Sequence, residues 1–273
     1  MTGTSFAVEL RSETVVMPLE VARLEVDQSV NCYLTGMGTL EVVPVMAYLL
    51  RAAGKHYLVD AGPPEEAYCA EHHRPLVPGS RRDLSQLLSE RGVDGLDGVV
   101  MTHLHWDHAG GLCTLGYKGP VFVQRSEVEY AASPLPAHRG AYLEAVPMSR
   151  RPWWESRKFE LLDGDAVIGD GVQVLHTPGH SPGSQCVLVQ EAGQVVAVAG
   201  DTVPTPKNFV EGVPCGVHTS LGEWYVSFGR LRSAASAVYP GHGAKVERAL
   251  SCSASGCRTG MAKRRPEVVR QRP

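Results

Sequence analysis

Four possible metal ligands, His103, His105, Asp107 and His108, lie within six residues of one short stretch. Imidazole and carboxylate groups are the donors that zinc-like cations prefer. The apolar run at residues 99–101 precedes them and is typical of a buried strand. In an extended chain alternate side chains share a face, so we expect His103, His105 and Asp107 to point the same way. A turn at Asp107 would then bring His108 alongside. A polar loop with unconnected histidines is the alternative, and the density of donors favours a metal site.

Three more apolar runs each end near a further possible ligand. Residues 172–175 precede His180, residues 195–199 precede Asp201, and residues 237–239 precede His242. Ligands gather outside the carboxyl ends of strands in open α/β sheets, and the glycines beside these donors allow tight turns. A hydrolytic metal keeps one position open for water, so seven donors are enough for two adjacent metals with one bridging carboxylate.

Several further patterns predict the strands that present these donors. Residues 14–24 are apolar and β-branched around Pro18, which indicates an edge strand. Apolar runs at 43–50 and 56–59 flank Arg-Ala-Ala-Gly-Lys, a pattern typical of a hairpin. Asp60 then ends a buried strand, where it could hold the metal loop by hydrogen bonds or act as a ligand. Because the other candidates already fill two metal sites, we expect the structural role.

Helices are predicted in three places. Leucines at helical spacing indicate a helix over residues 82–91, and apolar residues at the same spacing indicate an amphipathic helix over 220–235. Ser126 with Glu129 three residues later is a capping-box pattern and predicts a helix over 126–132. Residues 133–157 contain prolines and little periodicity, so we expect a long loop or broken helices there.

The composition is that of an ordinary globular protein. The 273 residues are 43% hydrophobic and 20% charged, with a net charge of -3, which gives no reason to expect nucleic acid or a membrane surface as a partner. The seven scattered cysteines fit reduced thiols better than a disulfide framework. The N-terminus lacks the features of a secretory signal, so we expect a cytoplasmic protein. We expect one domain at 1–250 and a basic, disordered tail at 251–273.

At the metal positions the sequence resembles the metallo-β-lactamase fold superfamily. The stretch His103-Leu-His-Trp-Asp-His108 matches its signature, and His180, Asp201 and His242 follow in the expected order. The resemblance implies an α/β fold, a four-layer αβ/βα sandwich with the metal site at one edge between the two sheets. It also implies that His103, His105 and His180 bind the first metal, that Asp107, His108 and His242 bind the second, and that Asp201 bridges them.

Within the superfamily the sequence is most similar to bacterial N-acyl homoserine lactonases. The matching pieces include residues 102–111, Val-Gln-Arg-Ser-Glu at 123–127, and Thr-Pro-Gly-His-Ser-Pro-Gly at 177–183. Many of these lactonases carry a tyrosine about three residues after the bridging aspartate, where this chain has Pro204. Tyr225, Tyr33 or a metal alone are the candidates to replace it in contacting the substrate carbonyl.

The resemblance implies quorum quenching by hydrolysis of a lactone. Two adjacent cations make hydroxide available near neutral pH to attack the carbonyl, and Asp107 could pass the proton to the leaving oxygen. Zinc is the default cation, with Fe, Mn or Co also suited to these donors. A thioesterase of the hydroxyacylglutathione hydrolase type and a catalytically silent metal-binding domain are the alternatives. We expect a small-molecule lactone or ester as the substrate and neither nucleic acid nor a membrane as a partner, and we leave a homodimer open.

Overall fold

Six strands form the first sheet of the computed structural model, which describes residues 13–142, 159–243 and 247–248. They lie in chain order, the first three antiparallel and the rest parallel. The strands are β1 (Thr14–Asp27), β2 (Leu40–Ala52), β3 (Lys55–Val59), β4 (Gly98–Val100), β5 (Val121–Gln124) and β6 (Phe159–Leu162).

Six more strands form the second sheet, again in sequential order. All neighbours are antiparallel except β10 and β11, which run parallel. The strands are β7 (Ala166–Gly169), β8 (Val172–His176), β9 (Gln185–Glu191), β10 (Gln194–Val198), β11 (Ala237–Tyr239) and β12 (Glu247–Arg248).

Helices connect the strands. The α-helices are α1 (Gln28–Asn31), α2 (Glu66–Glu71), α3 (Leu84–Ser89), α4 (Trp106–Ala109), α5 (Arg125–Ala132), α6 (Pro206–Glu211) and α7 (Leu221–Ala234). Short 3-10 helices span Gly110–Cys113, Pro136–Ala141 and Gly200–Thr202. Within the described part of the chain, no helix combines the length and the apolar character that crossing a bilayer requires.

Three apolar clusters separate four layers and confirm the predicted αβ/βα sandwich. Strand β2 shows how the sequence builds two of them, since its side chains alternate between the faces of the sheet. Val45, Ala47 and Leu49 pack beneath the helices of the first half, whereas Met46 and Tyr48 pack between the two sheets. The third cluster lies between the second sheet and the helices α6 and α7.

The predicted edge strand and hairpin are confirmed. Strand β1 lies at the edge of its sheet and includes Pro18, a residue that edge strands accommodate more readily than central strands. The predicted capping box at Ser126 is wrong, because α5 begins at Arg125 and its N-cap residue, Gln124, makes no side-chain cap. The hydroxyl of Ser126 donates instead to the carbonyl of Pro182. The predicted tail at 251–273 and most of the predicted loop at 133–157 lie outside the described residues.

Candidate metal centre

The first four candidate ligands, His103, His105, Asp107 and His108, lie after the carboxyl end of β4, in the middle of the first sheet. Leu104 and the histidines on either side continue from the strand, and α4 then begins at Trp106. The amide groups of His108 and Ala109 donate to the carbonyl of His105 and close the first turn. The expectation that Asp107 shares an extended face with His103 and His105 is therefore wrong, because Asp107 lies on a helical turn.

The other three donors follow strands of the second sheet. His180 lies in the loop after β8, Asp201 in the 3-10 helix after β10, and His242 in the turn after β11. The turns after β10 and β11 approach each other so closely that the position before His242 has to be glycine. A Cβ atom at Gly241 would lie 2.3 Å from Oδ1 of Asp201, so a side chain there would collide with a candidate ligand. The four predicted strand ends thus converge on one place.

Six of the side chains meet in two groups of three, and within each group the donor atoms lie within 4.8 Å of one another. In the first group, Nε2 of His180 is 3.2 Å from Nε2 of His103 and 2.9 Å from Nδ1 of His105. The second group consists of Asp107, His108 and His242.

Asp201 lies between these two groups. Its Oδ1 is 3.3 Å from Nε2 of His108 and 3.4 Å from Nε2 of His242. Its Oδ2 is 3.6 Å from Nε2 of His180. One carboxylate oxygen therefore faces each group, which is the arrangement that a bridging ligand needs.

Hydrogen bonds on the outer side fix the orientation of four imidazole rings. Nδ1 of His180 donates to the carbonyl of Val217 at 2.7 Å, and Nδ1 of His242 donates to that of Pro44 at 2.9 Å. Nδ1 of His108 donates to Asp60 at 2.8 Å. In the neutral form of each ring the proton stays on Nδ1, so Nε2 carries the lone pair that can bind a cation.

Asp60 also fixes the orientation of the His103 ring, through the hydroxyl of Thr102. Its carboxylate accepts the amide and the hydroxyl of Thr102, each at 2.7 Å. Since that hydroxyl donates to Asp60, it accepts from Nδ1 of His103, which lies 3.0 Å away. Asp60 is buried and holds the loop by hydrogen bonds, as expected from the sequence.

Two atoms of the centre show that these residues fit a cation. Within residues 13–142 and 159–243, the buried atoms Nε2 of His108 and Oδ1 of Asp201 lie 3.3 Å apart, but neither makes a well-aligned hydrogen bond. A buried polar atom without a partner costs about 1–3 kcal/mol, and a bound cation would remove that cost. The lone pairs on Nε2 of His103 and Nε2 of His180, which lie 3.2 Å apart, would likewise repel each other without a cation between them.

The electrostatics of the two groups differ. Burial lowers the pKa of His103, His105 and His180, so these rings are neutral and ready to bind. Burial also disfavours the charged forms of His108 and His242, but nearby carboxylates, Asp201 foremost, outweigh it and raise the pKa of both rings. Burial opposes ionisation of Asp201, yet His242 and His108 bring its pKa well below the ordinary range.

A cleft with a volume of about 110 Å³ leads to the centre. One wall is apolar and the base carries five of the donors. The lining residues are Leu24, Val26, Val30, Asn31, Val43, Pro75, His105, Trp106, Asp107, Ala141, His180, Asp201, Val217 and His242. No tyrosine of the described residues is among them. Tyr225 is 54% exposed on α7, so the prediction that it replaces the missing tyrosine has no support from its position.

Sequence reasoning missed the supporting role of Glu127. Its side chain is fully buried and accepts hydrogen bonds from the loops on both sides of the centre. Burial raises the pKa of its carboxyl group, and the hydrogen bonds from Ser181 and its neighbours oppose that shift. The only signal was the Val-Gln-Arg-Ser-Glu stretch, because a glutamate in the first turn of a helix is usually exposed.

Comparison with known proteins defines the class of this chain. The profile of the metallo-β-lactamase superfamily matches residues 40–242, a range that includes all seven donors. The chain therefore belongs to the metallo-β-lactamase superfamily and is a metal-dependent hydrolase.

Its relatives within the superfamily include several lactonases, which confirms the resemblance seen in the sequence. The N-acyl homoserine lactonase of Bacillus cereus is 32% identical over 201 residues, which cover 68% of this chain and 74% of that protein. The N-acyl homoserine lactonase AttM of Rhizobium radiobacter is 29% identical over 167 residues, covering 57% and 63%. A solved N-acyl homoserine lactone hydrolase, with N-hexanoyl-L-homoserine bound at its catalytic metal centre, is 26% identical with a TM-score of 0.69 and covers 85% of this chain and 94% of that one.

Proposed function

We propose that the protein hydrolyses the lactone ring of N-acyl homoserine lactones and thereby destroys these quorum-sensing signals. The observation that carries the proposal is the similarity to proteins named as N-acyl homoserine lactonases over 68% of the chain. The superfamily match at residues 40–242 includes all seven donors of the centre. The cleft supports it, because Leu24, Val26 and Val43 on its wall offer an apolar surface to an acyl chain while its base is polar.

The proposal assigns the ligands as two groups with one bridge. His103, His105 and His180 would hold one divalent cation, Asp107, His108 and His242 a second, and Asp201 both. When bound, the cations supply an activated water molecule and polarise the substrate carbonyl. Histidine and aspartate donors suit zinc, and they suit iron, manganese and cobalt as well.

Asp107 carries the proton in this proposal. It lines the cleft, and its Oδ2 lies 3.7 Å from Nε2 of His242. The water oxygen forms a bond to the lactone carbonyl carbon, and the bond from that carbon to the ring oxygen breaks. Asp107 accepts the proton that the water loses and delivers it to the ring oxygen, which leaves as an alcohol. The new carboxylic acid then ionises and releases one proton to the solution.

Pro204 makes the carbonyl contact different from that of many lactonases. Its carbonyl accepts the amide of His242 at 2.7 Å, so this position stabilises the turn of a candidate ligand. No tyrosine lines the cleft in the described part of the chain. In this proposal the cations would therefore stabilise the negative charge that develops on the carbonyl oxygen.

Proton release from N-hexanoyl-L-homoserine lactone tests the proposal in weakly buffered solution with a pH indicator. We expect acid production by protein that holds about two cations per chain, and none by Asp201→Ala or by chelator-stripped protein. Absence of acid production by fully loaded wild-type protein would overturn the lactonase proposal. Acyl-glutathione thioesters, assayed on the same sample, would then test the alternative hydrolase activity.

A further inference from the structure

Glu127 is a buried carboxylate that serves two distant loops at once. It lies in the first turn of α5 with 0% of its surface exposed. Its Oε1 accepts the amide of Leu104 at 2.9 Å and the hydroxyl of Tyr142 at 3.2 Å. Its Oε2 accepts the hydroxyl of Ser181 at 2.6 Å and the amide of Gly183 at 3.1 Å.

The two loops are those that carry the three-histidine group. Leu104 stands between His103 and His105, and Ser181 directly follows His180. The second loop comes so close that a Cβ atom at Gly183 would lie 2.3 Å from Cβ of Glu127. The contacts of Glu127 are therefore made to the backbone and hydroxyl groups beside the histidines, whereas the ring hydrogen bonds of His103, His108, His180 and His242 go to other groups.

We propose that Glu127 is a positioning residue that holds the backbones on both sides of the three-histidine group at the separation a cation requires. The inference rests on the metal-dependent activity proposed above, but it concerns cation binding and not the identity of the substrate.

The negative charge matters because the two carboxylate oxygens each face a backbone N–H group, which can only donate. Glutamine has nearly the same shape, but its amide nitrogen would face either Leu104 or Gly183 as a second donor. One loop would lose its anchor, and the ligands that it carries would lose their fixed position. Supporting contacts of this kind change metal affinity by about 10–100-fold.

The test uses cobalt, whose visible absorption reports the donor set, in protein from which metal has been removed. The background variant His242→Ala breaks the second group, so that one tight Co²⁺ site remains. We expect Glu127→Gln in this background to weaken that site at least tenfold. Tyr142→Phe is the matched control, since it removes one donor to Glu127 but no loop contact, and it should leave the site within about threefold.

Thermal unfolding of each variant separates this role from a general structural one. If Glu127→Gln only lowers the melting temperature while Co²⁺ affinity and spectrum stay unchanged, the proposal is overturned. If Glu127→Gln does not fold, Ser181→Ala takes its place, because it removes the shortest contact; unchanged Co²⁺ binding there would also overturn the proposal. Tight Co²⁺ binding by wild-type protein that opens no lactone would contradict the proposed function and leave this inference intact.

Discussion

Replacing Asp60 by asparagine should move the ring proton of His108 from Nδ1 to Nε2. The Asp60 carboxylate accepts three hydrogen bonds, two from Thr102 and one from Nδ1 of His108. If the asparagine oxygen keeps the amide of Thr102, its NH₂ group faces Nδ1 of His108 and must donate to it. The proton of that ring then moves to Nε2, the atom that faces Asp201, and Nε2 can no longer bind a cation.

The size of the effect follows from the kind of contact that is lost. Loss of a group that orients a metal-binding histidine costs about 10–100-fold in affinity, or about 1.4–2.7 kcal/mol. The backbone of Asp60 has a φ of 58°, a left-handed conformation that asparagine adopts readily, so strain should contribute little. Competition between the protein and a chromophoric zinc chelator at pH 7 measures both binding constants.

Thr102→Val provides the matched control for Asp60→Asn. It removes the hydroxyl that donates to Asp60 and accepts from Nδ1 of His103, so its effect falls on the first group, and it leaves the hydrogen bond between His108 and the carboxylate in place. We expect Asp60→Asn to weaken the cation bound by His108 more than Thr102→Val does. Two zinc ions bound by Asp60→Asn with wild-type affinity, in a protein that unfolds normally in urea, would refute the reasoning about the tautomer.

Three other predictions concern stability, cation uptake and activity. Trp224 is fully buried, stacks on Phe228 and donates from Nε1 to the carbonyl of Thr202 at 2.9 Å. Trp224→Ala should lower the free energy of unfolding in urea by about 3–5 kcal/mol and Trp224→Phe by about 1–3 kcal/mol; equal losses would contradict the packing argument. The raised pKa values of His108 and His242 keep both rings protonated above their ordinary range, so cation binding should release protons near pH 7 and weaken as the pH falls. Titration calorimetry in buffers of different ionisation enthalpy measures that release, and heats independent of the buffer would argue against it. Gly241→Ala should displace Asp201 and abolish lactone hydrolysis in the pH-indicator assay, and full activity would show that the turn can move.

Much of the centre could be predicted because ligand chemistry and strand periodicity are both local properties of the sequence. The seven donors and the strand ends that carry them follow from residue types and short spacings. The helix that begins at Trp106 was not predicted, because one residue beyond His105 the backbone changes from an extended to a helical conformation. The burial of Glu127 does not follow from the residues next to it in the sequence, since it depends on Ser181 and Gly183, which lie more than 50 positions away.

The donors are divided between the two sheets, and this division ties the folding of the chain to the supply of metal. The loop after β4 provides four of them, and the second sheet provides His180, Asp201 and His242. A cation that binds only where both sheets meet stabilises the native state by mass action, by about 2.7 kcal/mol per site at a free concentration one hundred times its dissociation constant. The melting temperature of the protein should therefore rise with the concentration of free cation, and chelation should lower it.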